Sequence, residues 1–155
     1  MRKRRAEKRN VLPDPVYNSK VITKLVNSVM QDGKKGTAEK IVYDAFEIIE
    51  KITNEKAIDV YQKCMVNITP ALEVKSRRVG GSNVQVPIEV NSVRGQTLAL
   101  RYLMQHAKKR SGKGLADKLA HEIIDAAAGT GGAAKKREDV HKMAESNKAF
   151  AHFKW

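Results

Sequence analysis

The sequence predicts a mainly α protein: a six-helix single domain with a protruding two-stranded β-hairpin arm and a basic, extended N-terminal tail. Three observations predict it. Apolar residues recur at helical spacing through most of the chain. The stretch 72–90 switches to strict alternation beside a Gly-Gly pair. Six cations crowd the first nine residues, with little apolar content before Val11.

The tail, residues 1–17, holds Arg2, Lys3, Arg4, Arg5, Lys8 and Arg9, then Pro13 and Pro15. It is expected to be extended, and disordered when free. Asn18 or Ser19 can cap a first helix, in which Val21, Ile22, Leu25, Val26, Val29 and Met30 share one face. Gly33 suits a left-handed C′ position. A second helix runs from Lys35 or Thr37 to Ile52, with Ile41, Val42, Ala45, Phe46, Ile48, Ile49 and Ile52 as its apolar stripe. A third, about 56–68, buries Ile58, Tyr61, Cys64, Met65 and Ile68, and Pro70 stops it.

In the arm, 72–90, Val84, Val86, Ile88 and Val90 alternate with Gln85, Pro87 and Glu89. Leu72 and Val74 open the partner strand, and Gly80-Gly81 supplies the positive φ of a tight turn. Pro87 has no N–H to donate, so its nitrogen must face away from the partner strand. Ser92 can cap a fourth helix reaching Lys109, with Leu100, Leu103, Met104 and Ala107 inward. Arg94, Arg101 and Lys108, spaced by seven, form a basic stripe along it. A fifth helix, about 115–128, turns Leu115, Leu119 and Ile123 inward and closes at Gly129. Gly129–Gly132 reads as a flexible link. A sixth, about 134–147, points Val140, Met143 and Ala144 inward. Lys135, Lys136 and Arg137 fall in its first turn, where they oppose the helix dipole and a phosphate would suit them.

The 155 residues suffice for one domain, 1–155, with a real core. Thirty Lys and Arg oppose 17 Asp and Glu, a net charge of +13, which calls for a polyanionic partner. The excess is clustered. Residues 91–116 carry six cations and no carboxylate, whereas 20–72 carry eight against seven. Aromatics are 5%, which disfavours binding mainly by base stacking. Cys64 is the lone cysteine, so no disulfide framework exists and a reducing compartment fits. No apolar run approaches a membrane span, and the cationic start lacks the apolar segment of a secretory signal.

For chemistry, Arg77 and Arg78 beside Gly80-Gly81 are the sharpest local feature, because glycine permits close approach and arginine bridges phosphate oxygens. Gly33-Lys34-Lys35-Gly36 lacks the spacing of a phosphate-cradling loop. Gly129–Gly132 follows no strand, which argues against a dinucleotide site. His106, His121, His141 and His152 form no metal motif, and no carboxylate pair stands apart for acid–base work. The carboxylates alternate with lysines instead, as in Glu47–Lys51 and Asp59–Lys63. No enzyme activity and no cofactor are expected. Phe150, Phe153 and Trp155 at the basic C-terminus either stack on bases or pack back on the sixth helix. An architectural DNA-binding protein with its arm in the minor groove and an RNA-processing enzyme are the competing classes.

The runs VKSRRVGG with QVP, LALRYL and KKREDVHKMAESNKAFAH, together with VLPDPVYNS and DGKKGTAEKIVYDAF, closely resemble bacterial small-subunit ribosomal protein seven over nearly the whole chain. The resemblance implies six helices with a protruding hairpin. It implies a structural, primary ribosomal RNA binder that nucleates assembly of the head (3′ major) domain of the small subunit, near the decoding centre. It further implies exit-site transfer RNA and ribosomal proteins nine and eleven as neighbours, a ribosome-bound place in the cytoplasm, and, in some members, repression of the family's own operon message. Carried over by position, ribosomal RNA would meet Arg2, Lys3, Arg4, Arg5, Lys8, Arg9, Lys34, Lys35, Lys75, Arg77 and Arg78. It would also meet Arg94, Arg101, Lys108, Lys109, Arg110, Lys113, Lys135, Lys136, Arg137 and Lys142. Transfer RNA would approach Arg78, Gly80, Gly81, Lys148, Phe153 and Trp155. Many relatives carry Tyr, Pro, Arg and Trp where this chain has Val84, Ser92, Gly95 and Tyr102. Gly95 is expected to weaken its helix by roughly 1 kcal/mol relative to Ala.

Overall fold

The computed structural model describes residues 9–153. The order is α1 (Lys20–Val29), α2 (Lys35–Thr53), α3 (Ala57–Ile68), β1 (Leu72–Val79), β2 (Ser82–Glu89), α4 (Ser92–Lys109), α5 (Leu115–Ala127) and α6 (Gly131–Ser146), closed by a 3₁₀ helix, Lys148–Phe153. The mainly α reading with one hairpin holds. The terminal 3₁₀ helix was not foreseen.

Helix α5 is the axis of the core, packed by α2, α3, α4 and α6. Its Leu119, Ala120, Ile123 and Ala126 are wholly buried. The seam of α2 is Val42, Ala45, Phe46 and Ile49, all fully buried. Ile41, Ile48 and Ile52 lie roughly 100° round the helix from it. The first two are therefore half-buried, and Ile52 is 50% exposed, contrary to its expected place in the stripe.

Part of the expected tail is fastened down. Asp14 is 3% exposed. It accepts hydrogen bonds from the Val16 and Tyr17 N–H groups, both at 3.1 Å, and from the Tyr43 hydroxyl at 2.8 Å. Burial first, then that bond, pushes the Tyr43 hydroxyl up to about 12. The Thr23 hydroxyl donates to the Leu12 carbonyl at 2.9 Å. Residues 12–17 thus dock on α1 and α2, while residues 1–8 lie outside the described residues.

Caps differ in detail from expectation. Ser19 occupies the N-cap of α1 without a side-chain bond. Helix α1 stops at Val29, so Gly33 (φ 74°) is not its C′ residue but shares the following turn with Asp32 (φ 53°). Asn91, not Ser92, caps α4, its side chain accepting from the Val93 N–H. Helix α5 ends in a Schellman motif, with Gly129 (φ 78°) donating to Ala126 O at 3.0 Å and Thr130 to Asp125 O at 2.8 Å. The expected flexible link is no link. Helix α6 begins at Gly131, and a Cβ on Gly132 would collide with the His106 ring. Lys135, Lys136 and Arg137 therefore sit in the second turn, where the dipole is weaker. Met143, expected inside, is 42% exposed. Gly95 is buried, and a Cβ there would stand 3.0 Å from Thr69 Cγ2. The expected gain from Ala is therefore opposed by crowding at the α3–β1 link.

The hairpin pairs Leu72 with Glu89 through Val79 with Ser82, turning on Gly80 (φ 57°) and Gly81 (φ 90°). Val90 N–H donates to Ala71 O at 2.9 Å. Alternation from that bond puts Val74–Pro87 at a non-hydrogen-bonded pair, so Pro87 faces outward as its chemistry demands. The base is covered: Val86 and Pro87 are buried, α6 packs on both strands, and the 3₁₀ helix packs on β2. Residues 75–78 and 80–83 are exposed.

Candidate nucleic-acid interface

Successive strand residues point to opposite faces. Register therefore puts Lys75 and Arg77 on the face of Val84 and Val86, and Arg78 on the other, with Asn83 and Gln85. The two tip arginines project to opposite sides of a ribbon one residue thick. Glu73, whose side chain is 13% exposed, gathers two predicted site residues at the base: Lys75 Nζ at 3.1 Å and Arg94 Nη2 at 3.3 Å. It fixes Arg94, the first cation of the α4 stripe, beside the arm.

The stripe forms as expected. Arg94, Arg101 and Lys108 are exposed along α4 while Leu98, Leu103 and Ala107 are buried behind them. Arg101 and Lys108 line a shallow groove of about 650 Å³ with Ser28 of α1. Sequence reasoning missed Lys24 of α1, whose Nζ donates to Gln96 Oε1 of α4 at 2.5 Å. That contact spans 72 residues, beyond any local pattern. The only local signal was that α1 contains two lysines and no carboxylate.

Arg9, Lys34, Lys109, Lys113, Lys135, Lys142 and Lys148 are exposed, and Lys136 is half-buried. Lys35 is exposed but pairs with Glu39 at 3.4 Å. Two arginines spend donors inside the protein. Arg110 reaches Glu122 Oε2 with Nη1 at 2.9 Å and Asp125 with Nη2. Arg137 Nη1 donates to Asn67 O at 2.7 Å. Arg2, Lys3, Arg4, Arg5, Lys8 and Trp155 lie outside the described residues. Phe150 and Phe153 stack at 6.5 Å on a 3₁₀ helix that packs mainly on β2, rather than on α6 as one reading had it.

Among the described residues, no group of three or more His, Cys, Asp or Glu could hold a metal. Burial, and next to it Glu122, pushes the Cys64 thiol up to about 12, leaving no nucleophilic thiolate near neutrality. Lys63 pairs with Glu55 at 2.8 Å rather than with Asp59 as expected, whereas Glu47–Lys51 forms at 3.7 Å. Among the described residues, no helix is long and apolar enough to cross a membrane.

Comparison with known proteins places this arrangement. The family model described as ribosomal protein S7p/S5e matches residues 1–148. The chain is 60% identical over 148 residues to small ribosomal subunit protein uS7 of Desulforamulus reducens, covering 96% of this chain and 95% of the relative. It is 59% identical over 154 residues to the uS7 protein of Clostridioides difficile, with 99% of each covered. To that of Mesoplasma florum it is 57% identical over 155 residues, with 100% of each covered. A helical body with a charged ribbon, matched along its length at such identity, belongs to the ribosomal protein S7p/S5e family.

Proposed function

We propose that this protein binds ribosomal RNA of the small subunit as a primary assembly protein, neutralising phosphates with α4, α1 and the hairpin. Family membership makes it a structural, non-enzymatic component of the bacterial small ribosomal subunit, ribosome-bound in the cytoplasm. That sets aside the DNA-architectural and RNA-processing readings. The finer reading is that it nucleates the head (3′ major) domain, near the decoding centre. Exit-site transfer RNA then meets Arg78, Gly80, Gly81 and the C-terminal Lys148, Phe153 and Trp155, and ribosomal proteins nine and eleven are neighbours. Autorepression of its own message is a further role of the same RNA surface.

The observation that carries the RNA reading is α4. From residue 91 to 116 the chain holds six cations and no carboxylate, and Arg101, Lys108, Lys109 and Lys113 are exposed. RNA helices are recognised chiefly through backbone shape, and each neutralised phosphate releases counterions. The purified protein, titrated onto a head-domain RNA fragment, is expected to lose affinity steeply with salt. The slope of log affinity against log salt should be about −3 or steeper. An affinity that barely changes between about 0.05 and 0.2 M salt counts against phosphate-driven binding.

A further inference from the structure

We infer that the groove between α1, α3 and α4 receives unpaired nucleotides of the RNA and reads them through Gln62 and Gln96. This rests on the RNA-binding function proposed above, and extends it from phosphate neutralisation to base recognition.

The groove measures about 750 Å³ and opens at the hairpin's root, where Pro70, Ala71 and Val90 line it. Its size falls in the range of roughly 300–1,000 Å³ that accommodates compact organic ligands, nucleosides included. Ile58, Tyr61, Met65 and Val66 furnish an apolar side from α3, and Val21 faces them from α1. Val66 is 75% exposed. In a chain of net charge +13, no lining side chain is charged. Phosphates therefore have no reason to enter, whereas a base, apolar on its faces and polar at its edge, does.

The polar groups fit that division. Gln62 is exposed and Gln96 half-exposed at the groove. Gln96 Oε1 is held by Lys24 at 2.5 Å, which leaves its N–H donors without a partner among the described residues. Carboxamides of this kind read base edges with paired donors and acceptors. Cations flank them: Lys20 and Lys24 on α1, Arg94 on α4 two residues from Gln96. Neither helix carries a carboxylate. Glu73 at the hairpin's root already pairs with Arg94 at 3.3 Å, so the cations left to an occupant are Lys20 and Lys24 of α1, while Asp59 and the Glu55 that holds Lys63 stand on the α3 side. That asymmetry orients an occupant, with its sugar–phosphate chain along α1 and its base toward α3. An apolar peptide would leave both carboxamides to be matched and would give the flanking cations nothing to neutralise. Sequence-specific readout of RNA depends on such splayed, unpaired bases.

The test uses the full chain and a head-domain ribosomal RNA fragment. Gln62→Ala/Gln96→Ala removes one exposed and one half-exposed neutral group, so the fold should survive, as checked by circular dichroism. The expected result is binding about 10-fold weaker with an unchanged salt slope, because no cation is lost. Arg101→Ala, in contrast, should make the slope shallower by about one. In dimethyl sulfate probing, an unpaired base shielded by the wild-type protein should regain reactivity with the double variant. Wild-type affinity in that variant, or no base losing protection, overturns the groove inference alone. So does intact RNA binding with failed recruitment of a ribosomal protein, which would assign the groove to a protein. A wild-type chain that ignores the fragment overturns the underlying function and this inference together.

Discussion

Glu122 is 2% exposed and serves three elements at once. Its Oε2 takes Arg110 from the end of α4, and its Oε1 takes the Ala133 N–H at 2.8 Å, supplying from α5 the anion that the start of α6 lacks in its own sequence. Glu122→Ala leaves the half-buried Arg110 guanidinium with Asp125 alone and a buried amide without its acceptor, and is expected to cost about 2–3 kcal/mol in urea unfolding. Tyr61 presents the opposite case. It is 1% exposed, and its hydroxyl is buried with no hydrogen-bond partner among the described residues. Tyr61→Phe removes that unmatched group and should leave stability unchanged or raise it by up to about 1 kcal/mol. His141 Nε2 accepts from the Ala71 N–H at 3.1 Å where the arm leaves the body. Burial, then Arg137, holds its imidazole below the ordinary 6.5, and burial does the same for His106. Both rings therefore take up protons more readily in the unfolded chain. Their contribution is intact above about pH 6.5 and is lost as pH falls below it. Stability measured by urea at about pH 5 should fall short of that at about pH 7.5, and His141→Gln should narrow the gap. None of these pairings was legible in the sequence, because each joins residues brought together only by tertiary packing.

Elements were far more legible than caps. All six helices and the hairpin follow from apolar periodicity and Gly80-Gly81, since burying a face dictates where a regular element runs. The misjudged positions share a cause. Gly129–Gly132 reads as a linker by composition, yet Gly131 and Gly132 serve close packing of α6 on Asp125, Glu122 and His106. A glycine's role depends on what stands opposite it, which no local window contains. Gly132→Ala is expected to destabilise by about 1–3 kcal/mol, seen as a lowered melting temperature. The hairpin behaves otherwise. Its base is buried and its end exposed, so deleting Arg77–Ser82 should leave the helical circular dichroism intact. Binding to ribosomal RNA should drop yet persist. Loss of the helical signal would mean that the distal ribbon helps to hold the body together.

For the molecule as a whole, composition alone declared a polyanion as partner, and the structure refines which cations remain for it. Arg110 and Arg137 are drawn inward, while Lys24 joins the α4 stripe. The isolated protein carries +13 without its counterpart, so its melting temperature should rise as ionic strength increases from about 0.01 to 0.15 M. An unchanged or lowered melting temperature would show that self-repulsion costs the fold little. On the proposed RNA-binding function, the shape of the ribbon also bears on the shape of what receives it. Arg77 and Arg78 lie on opposite faces, so a phosphate wall on one side would meet one guanidinium, whereas a cleft with two banks would meet both.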